Sequence, residues 1–278
     1  MPAALRAAGI AGALDVTDEG NLQVAVADPI RDAETGVIGL QDLLGLSRVV
    51  RDRLIGVLGD GRRPLVLGGD CTLLIGVAAA LADTRPDAGL LFVDGHLDCF
   101  DGRTSPTGEG ADMELAILLG VGAEPLVGFA GRTPALADDR VVVLGPADEA
   151  QAAELGAPDP RSFAPKMPIV TAEELAGDPA GHAQAALAHL EEAADGYWLH
   201  VDLDVLSALE LPAVDYPDEA GLSFQQLRDL LVPLLAAPGL LGVNVTIFNP
   251  TLDADGSSAA RIVEMLRDAV SGALKQAV

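Results

Sequence analysis

The sequence predicts an α/β protein in which helices cover both faces of a central, mainly parallel sheet. Short apolar segments rich in Val, Leu and Ile alternate along the chain with longer Ala- and Leu-rich segments of helical pattern. Strands that are buried on both faces of a parallel sheet have this near-continuous apolar character. Polar residues also cluster directly after two of the apolar segments, where the ligand sites of parallel sheets lie.

The individual elements follow from the same pattern. Short apolar runs predict strands at Pro64–Leu67, Leu90–Asp94, Val141–Leu144, Ile169–Val170, Trp198–Asp204 and Leu240–Ile247. Helical spacing predicts helices at Leu40–Leu58, Thr72–Ala82, Asp112–Leu119, Pro179–Ala194, Phe224–Leu235 and Ser258–Ala273. Thr171 and Glu174 fit a capping box that opens a further helix, and the Pro-rich segment Ala157–Pro168 is predicted to be a loop. Because no long linker or repeat interrupts the pattern, we predict one domain, residues 1–278.

Composition limits the classes of partner. With 42 acidic and 17 basic residues, the net charge of −25 argues against nucleic acid or an anionic membrane as a partner. The acidity serves solubility, and it also attracts cations and cationic substrates. No apolar run reaches the ~20 residues of a membrane span, and the first residues do not resemble a signal peptide. Two cysteines are too few for a disulfide framework, so we expect a cytoplasmic protein.

Two polar motifs follow predicted strands in the first third of the chain. The first, Leu67–Cys71 (Leu-Gly-Gly-Asp-Cys), has glycines that permit a tight turn, and Asp70 could cap the next helix. Taken alone, it is explained by a turn. In the second, Phe-Val-Asp-Gly-His-Leu-Asp, alternation predicts that Asp94, His96 and Asp98 lie on one side of an extended segment. Such a set suits a divalent metal, although a solvated loop with capping aspartates would also explain it.

The third motif, Trp-Leu-His-Val-Asp-Leu-Asp, begins at Trp198. Strict alternation predicts that its apolar residues pack under a helix while His200, Asp202 and Asp204 share the opposite face. Burying two like charges there is unfavourable unless a cation neutralises them, whereas an exposed edge strand would avoid that burial. The second and third motifs together provide four aspartates and a histidine, a credible site for two divalent cations that share a reactive water.

In this order and spacing, the motifs resemble those of the arginase/agmatinase/formiminoglutamase family, the ureohydrolases. That family carries Gly-Gly-Asp-His, Asp-Ala-His-x-Asp and Asp-x-Asp-x-x-Asp-Pro, and the resemblance runs from about Pro64 to the C-terminus, including Asn249-Pro250. It implies a three-layer α/β fold with a central parallel sheet, two Mn²⁺ ions and hydrolysis of guanidino or formimino C–N bonds. It also implies a homo-oligomer, either a trimer or a hexamer.

The resemblance assigns six metal-ligand positions. Five of them keep the family's residue type: Asp94, His96, Asp98, Asp202 and Asp204. Among these, Asp94 and Asp202 match the bridging carboxylates, and Asp98 also matches the carboxylate that accepts a hydrogen bond from the attacking hydroxide. The sixth position is Cys71, where the family has His. A thiolate is softer than imidazole and favours zinc or ferrous iron over manganese, which puts one of the two sites in doubt. A buried, metal-free cysteine is the alternative.

Three further departures bear on activity. Ala111 stands where the family has the histidine regarded as its proton shuttle, and Ile247 falls where the guanidinium-binding glutamate sits. Ser207 replaces the last aspartate of the third family motif. These departures therefore argue against naming arginase as the specific activity of this protein.

Other residues in the same motifs could compensate. Thr107, Glu109 and Asp112 lie in the predicted substrate loop, where the carboxylates could hold a cationic amine or guanidinium. His200 could replace the missing acid/base, although a buried histidine with a backbone partner would explain it as well. A branch of the resembling family with Cys at the first ligand position and a Ser-Pro-Thr-Gly-Glu loop is associated with modified guanidino substrates such as N-hydroxyarginine.

The leading hypothesis is a metal-dependent amidinohydrolase that acts on a linear, arginine-related guanidino compound, with N-hydroxylated forms among the candidates. Its rival is a non-catalytic protein that keeps the fold and part of the metal site for binding or assembly. A metal-dependent phosphoesterase fits less well, because no Lys or Arg apart from Arg103 lies near the motifs.

Overall fold

A computed structural model describes residues 1–27 and 29–276 of the chain. Its six strands form a single parallel sheet. In chain order these are β1 (Leu65–Leu67), β2 (Gly89–Val93), β3 (Val141–Leu144), β4 (Ile169–Val170), β5 (Tyr197–Asp202) and β6 (Leu240–Thr246). Their order across the sheet is β1-β6-β5-β2-β3-β4, so the strands that precede the second and third motifs, β2 and β5, are direct neighbours at its centre.

Helices connect each strand to the next, as parallel pairing requires. In chain order they are α1 (Pro2–Ala7), α2 (Ile10–Leu14), α3 (Leu40–Gly59), α4 (Leu73–Thr84), α5 (Glu114–Leu118), α6 (Glu124–Val127), α7 (Glu149–Leu155), α8 (Pro160–Phe163), α9 (Ala172–Gly177), α10 (Pro179–Ala193), α11 (Phe224–Ala236) and α12 (Ser257–Gln276). Among the described residues, no helix combines the length and the apolar character that a membrane span requires.

The two faces of the sheet are buried against different helices. Leu91 and Val93 of β2 face a core that includes residues of α10, α11 and α12, whereas Leu90 and Phe92 face a core built with α3, α4 and α5. Alternate side chains of each strand therefore enter opposite layers. The predicted α/β fold with three layers around a parallel sheet is confirmed.

The predicted strands and long helices agree with the structure to within two or three residues, and the Thr171–Glu174 capping box is present at the start of α9. Two predictions need correction. The segment Ala157–Pro168 contains the short helix α8, because Asp159 caps it by accepting a hydrogen bond from the Arg161 N–H. The fifth strand ends at Asp202 instead of Asp204.

A close crossing of two backbone segments anchors the loop of residues 101–112. A Cβ atom on Gly36 would lie 1.9 Å from the carbonyl oxygen of Gly102, and a Cβ on Gly102 would lie 1.9 Å from the carbonyl oxygen of Thr35. Neither position has room for a side chain. The Arg31 guanidinium joins the two segments by donating to the carbonyl oxygens of Gly36, Gly102 and Ser105 at 2.7, 3.1 and 2.9 Å.

Candidate metal centre

The polar motifs converge at the carboxyl end of the sheet. Cys71 follows β1, Asp94 follows β2, Asp202 ends β5 and Thr246 ends β6. Since β1, β6, β5 and β2 are consecutive neighbours in the sheet, these four residues lie side by side. All four are buried, with exposed fractions of 1% or less.

One group of metal-ligating atoms surrounds Cys71. One donor atom each from Cys71, Asp94, Glu114 and His200 lies within 4.8 Å of all the others. Asp202 borders this group, because its Oδ2 accepts from the Cys71 thiol at 2.5 Å and from the Thr246 hydroxyl at 3.3 Å.

A second group lies on the other side of Asp94 and includes His96 and Asp204, again with donor atoms within 4.8 Å of one another. The His96 Nδ1 atom is 3.2 Å from Asp204 Oδ2 and 3.8 Å from Asp94 Oδ1. Asp94 is thus common to both groups, the position that a carboxylate bridging two cations would take.

Turns that follow β2 and β5, and not extended strands, position the carboxylates of the second and third motifs. β2 ends at Val93, and Asp98 lies in the left-handed region with φ of +45°, so the predicted alternation of Asp94, His96 and Asp98 along an extended segment is wrong. After β5, the Asp202 Oδ1 atom accepts from the Asp204 N–H at 2.8 Å and starts a 3₁₀ turn. Asp94, His96 and Asp204 still converge in one group of donor atoms, whereas Asp98 belongs to neither group.

The donor set fits divalent cations. Asp94 Oδ2 and both carboxylate oxygens of Glu114 are buried and have no hydrogen-bond partner within the described chain. Buried carboxylates are normally paired or bound to metal, since an isolated buried charge is strongly unfavourable. Carboxylate oxygens, one imidazole and one thiol are together a plausible ligand set for ions such as Mn²⁺, Fe²⁺ or Zn²⁺.

Without a cation, the centre retains protons. Burial raises the pKa of Asp94 and of Asp202 well above the usual carboxyl range, and neighbouring aspartates add to both shifts. Burial opposes the charged form of His96, but its hydrogen bond to Asp204 and the nearby carboxylates raise the pKa of His96 to about 10. A cation that binds the imidazole must therefore displace a proton, so metal affinity should increase with pH.

Asp98 and Glu114 form a pair of buried carboxyl groups. Burial raises the pKa of Asp98 to about 7 and that of Glu114 well above its usual value, and the proximity of the two groups adds to the shift of Glu114. Ionised carboxylates only accept hydrogen bonds, so their contact becomes a hydrogen bond only when one of them holds a proton.

The orientation of His200 follows from its neighbours. The Trp198 indole N–H, which can only donate, is 2.7 Å from Asn244 Oδ1. The Asn244 Nδ2 group therefore faces the His200 Nδ1 atom, 2.7 Å away. Because the amide nitrogen can only donate, His200 Nδ1 accepts this hydrogen bond. The proton of the neutral imidazole then sits on Nε2, 3.4 Å from Asp94 Oδ2, and burial lowers the pKa of His200 to about 3. A protonated Nε2 is not a metal ligand.

The predicted substrate loop is held by its own hydroxyl groups. Asp112 Oδ2 accepts from Ser105 Oγ at 2.6 Å and from Thr107 Oγ1 at 3.1 Å. Glu109 is exposed and accepts a hydrogen bond from the Tyr216 hydroxyl at 3.0 Å, which joins this loop to the loop after β5. The predicted residues Thr107 and Asp112 are therefore close together, with the Glu109 carboxylate on the outer side of the loop.

Comparisons with known proteins agree with this geometry. A sequence profile described as "Arginase family" matches residues 2–271. The chain belongs to the arginase family. An arginase of Brevibacillus brevis is 30% identical over 281 aligned positions, which cover 98% of this chain and 91% of that protein.

Solved structures of the arginase family have the same fold. An arginase from Bacillus cereus superposes with a TM-score of 0.84 at 25% identity, covering 97% of this chain and 91% of the other. A formimidoylglutamase from Bacillus subtilis gives a TM-score of 0.72 at 17% identity, covering 98% and 79% of the two chains, a likeness of fold alone. The protein is an arginase-family ureohydrolase.

The departures from the arginase-family pattern lie around the centre. Ala111 and Ile247 are half-buried and carry no group that can transfer a proton or bind a guanidinium. Ile247 has a φ of +74°, unusual for a β-branched residue, and its N–H donates to the Gly69 carbonyl oxygen at 2.9 Å. The backbone N–H of Ser207 donates to the Leu222 carbonyl oxygen at 3.0 Å.

Sequence reasoning missed two buried carboxylates at this arginase-family centre. Glu114 joins the Cys71 group, and Asp148 accepts a hydrogen bond from the Leu97 N–H at 3.0 Å next to His96. The signal for Glu114 was present, since a single carboxylate begins the apolar run Glu-Leu-Ala-Ile-Leu. Asp148 gave a weaker signal, because an aspartate after a strand is common as a helix cap.

Proposed function

We propose that the protein is an amidinohydrolase that uses two Mn²⁺ ions to cleave a guanidino C–N bond of a linear, arginine-related substrate, with release of urea or a substituted urea. The observation that carries the proposal is the position of Asp94 in two adjacent groups of ligand atoms. When bound, two ions would supply a water that ionises near neutral pH and a positive field for the developing charge. We also propose that it is cytoplasmic and forms a trimer or hexamer.

The proposal gives each side chain of the centre a role. The ions would be held by Cys71, Asp94, His96, Asp98, Asp202 and Asp204. Asp98 would also accept the proton of the attacking water, because its buried carboxyl group is close enough to Asp94, His96 and Asp204 to interact with their charges. Burial of Cys71 and the four aspartates strengthens the electrostatic interactions among them, whereas the His96 side chain is 24% exposed.

The substrate-binding role is proposed for Thr107, Glu109 and Asp112. Glu109 is the exposed carboxylate of this loop, and the Tyr216 hydroxyl fixes its position at 3.0 Å. Asp215 and Glu219 add exposed negative charge to the loop that carries Tyr216. A substrate with a cationic amine distant from the reacting guanidine suits such a surface.

The state of His200 supports an N-hydroxylated guanidine as the substrate. His200 is fully buried and its Nε2–H faces Asp94, so it is poorly placed to replace the proton shuttle that Ala111 lacks. An electron-withdrawing N-hydroxyl group lowers the basicity of a guanidine and makes its carbon more electrophilic. Such a substrate therefore depends less on a protein acid than an ordinary guanidine does. The proposed reaction therefore needs no proton transfer by His200, whose catalytic role stays a prediction from the sequence.

The proposal is tested by metal content together with turnover. Protein loaded with Mn²⁺ and desalted should retain two equivalents per chain, and it should release hydroxyurea from N-hydroxyarginine faster than urea from arginine. Asp202→Asn should lose most of the metal, because Asp202 lies against the Cys71 thiol. Asp52→Asn, on the exposed face of α3, is the matched control and should retain both equivalents.

Two results would contradict the proposal. Failure of the wild-type protein to retain any metal would remove the two-metal site. Retention of two equivalents without turnover of any guanidino compound would favour the rival, a non-catalytic member of the family that uses its metal site for binding or assembly.

A further inference from the structure

Glu114 is a buried carboxylate to which the proposed function assigns no role. It is the first residue of α5, and the next four residues, Leu115 to Leu118, are apolar and buried. The exposed fraction of Glu114 is 0%, and neither carboxylate oxygen has a hydrogen-bond partner among residues 1–27 and 29–276. A carboxylate in such surroundings requires either a bound proton or a cation.

The neighbours of Glu114 are metal-binding groups. A carboxylate oxygen of Glu114 lies within 4.8 Å of donor atoms of Cys71, Asp94 and His200. His200 is unsuitable as a ligand of this set, because the Asn244 amide occupies its Nδ1 lone pair and its Nε2 carries the proton. Three donors remain around one point: a thiol and two carboxylates.

We propose that Glu114 is a ligand of the cation that Cys71 binds. This inference rests on the two-metal site of the proposed function and adds Glu114 to the ligands of the cation on the Cys71 side. A thiolate alone is a softer ligand than the imidazole that the family pattern has at position 71. A carboxylate adds a hard oxygen donor and a further negative charge, so the Cys71–Glu114 pair would restore affinity for a divalent cation such as Mn²⁺ or Fe²⁺.

A different role for Glu114 is a proton-sharing pair with Asp98, whose carboxyl group is close enough for a hydrogen bond when one partner is protonated. That role would be purely structural. It predicts that the loss of the Glu114 charge changes metal affinity only slightly, because a neutral amide can still form a hydrogen bond with the Asp98 carboxylate.

A cobalt titration of the metal-free protein separates the two roles. Co²⁺ bound to a thiolate gives a charge-transfer absorption band, so this band reports the Cys71 side of the centre independently of turnover. Cys99, the second cysteine, belongs to neither ligand group and donates to the Leu97 carbonyl oxygen at 3.1 Å. Cys71→Ser should therefore abolish the band.

Glu114→Gln should weaken Co²⁺ binding at the Cys71 side by more than about 100-fold, above the range for groups that only orient ligands. Glu114→Asp, which keeps the charge but shortens the side chain, should weaken it in the same direction. Glu192→Gln, on the exposed surface of α10, is the matched control and should bind as the wild type does. The metal-free Glu114→Gln protein should melt no lower than the wild type, because a neutral amide replaces a buried carboxyl group that has no hydrogen-bond partner in the described chain.

The outcomes are distinct. A weakening below 100-fold in Glu114→Gln overturns the proposal and leaves the proposed function standing. A wild-type protein that binds Co²⁺ without the thiolate band overturns the proposal and also removes Cys71 from the ligands of the proposed function. Absence of any cation binding by the wild type overturns both.

Discussion

At the scale of single residues, the position of one proton decides what His200 can do. The donor-only Trp198 indole orients the Asn244 amide, and the amide in turn directs the imidazole so that Nε2–H faces Asp94. The Nε2 atom and Asp94 Oδ2 lie 3.4 Å apart without a hydrogen bond between them, so the imidazole is a neutral neighbour of this carboxylate.

We therefore predict that His200 is the Nε2–H tautomer at neutral pH. Long-range ¹⁵N–¹H correlation spectra of the histidine rings should show an unprotonated Nδ1 for this residue. Asn244→Asp should reverse the tautomer, because a carboxylate in that position accepts from both the Trp198 indole and the imidazole Nδ1–H. A protonated Nδ1 in the wild-type protein would contradict the assignment.

Asp112 gives a residue-scale prediction on pH. Burial raises the pKa of Asp112 to about 6, above its usual value of 3.8, despite the hydrogen bonds from Ser105 and Thr107. The folded protein thus favours the protonated form, and this contribution to stability is fully present below pH 3.8 and is lost as pH rises through 6.

Asp112→Asn should abolish the loss of stability that the wild type shows as pH rises through 6. Relative to the wild type, its free energy of unfolding should increase by about 2 kcal/mol between pH 4 and pH 7, as denaturant titrations at each pH would show. A difference between the two proteins that is independent of pH would mean that Asp112 titrates normally.

At the scale of elements, helix ends carry their own stabilising contacts. At the start of α11, Ser223 Oγ accepts from the Gln226 N–H at 3.2 Å, and the Gln226 side chain accepts from the Ser223 N–H at 2.8 Å. Helix α11 packs between α10 and α12 over the core that contains Leu227 and Leu230. Fraying of its first turn would therefore loosen the layer that covers β5 and β6.

Ser223→Ala should lower the free energy of unfolding by about 1 kcal/mol, because the first turn loses its capping acceptor. Urea unfolding monitored by circular dichroism would measure the difference. Ser271→Ala, at an exposed position within α12, is the control and should change stability by less than about 0.5 kcal/mol.

The same scale shows what the sequence can predict. Strand and helix positions follow from apolar periodicity, and the end of a parallel strand locates the centre, so Asp94 and Asp202 were identified correctly as neighbours at one edge of the sheet. The left-handed turn at Asp98 could not be predicted, because no glycine marks it. Glu114 was missed because its place in the centre depends on contacts with residues distant in sequence, whereas periodicity describes only its own helix.

At the scale of the whole molecule, stability and function use different parts of the fold. The ion pairs are mostly at the surface, where each contributes about 1 kcal/mol or less, so the two apolar layers beside the sheet provide most of the stability. Those layers offset the unfavourable burial of the acidic centre. Cation binding at that centre would add stability by mass action, because the unfolded chain has no assembled site.

The crossing of Gly36 and Gly102 has a consequence for how this protein can change through mutation. A side chain at either glycine would collide with the backbone of the other segment. Because the obstacle is backbone, no second substitution can compensate for the loss of either glycine. Arg31 depends on the same crossing, because its carbonyl acceptors lie on both segments. Exposed side chains of the loop, such as Glu109, can therefore be replaced, whereas a side chain at either glycine would force the two backbone segments apart.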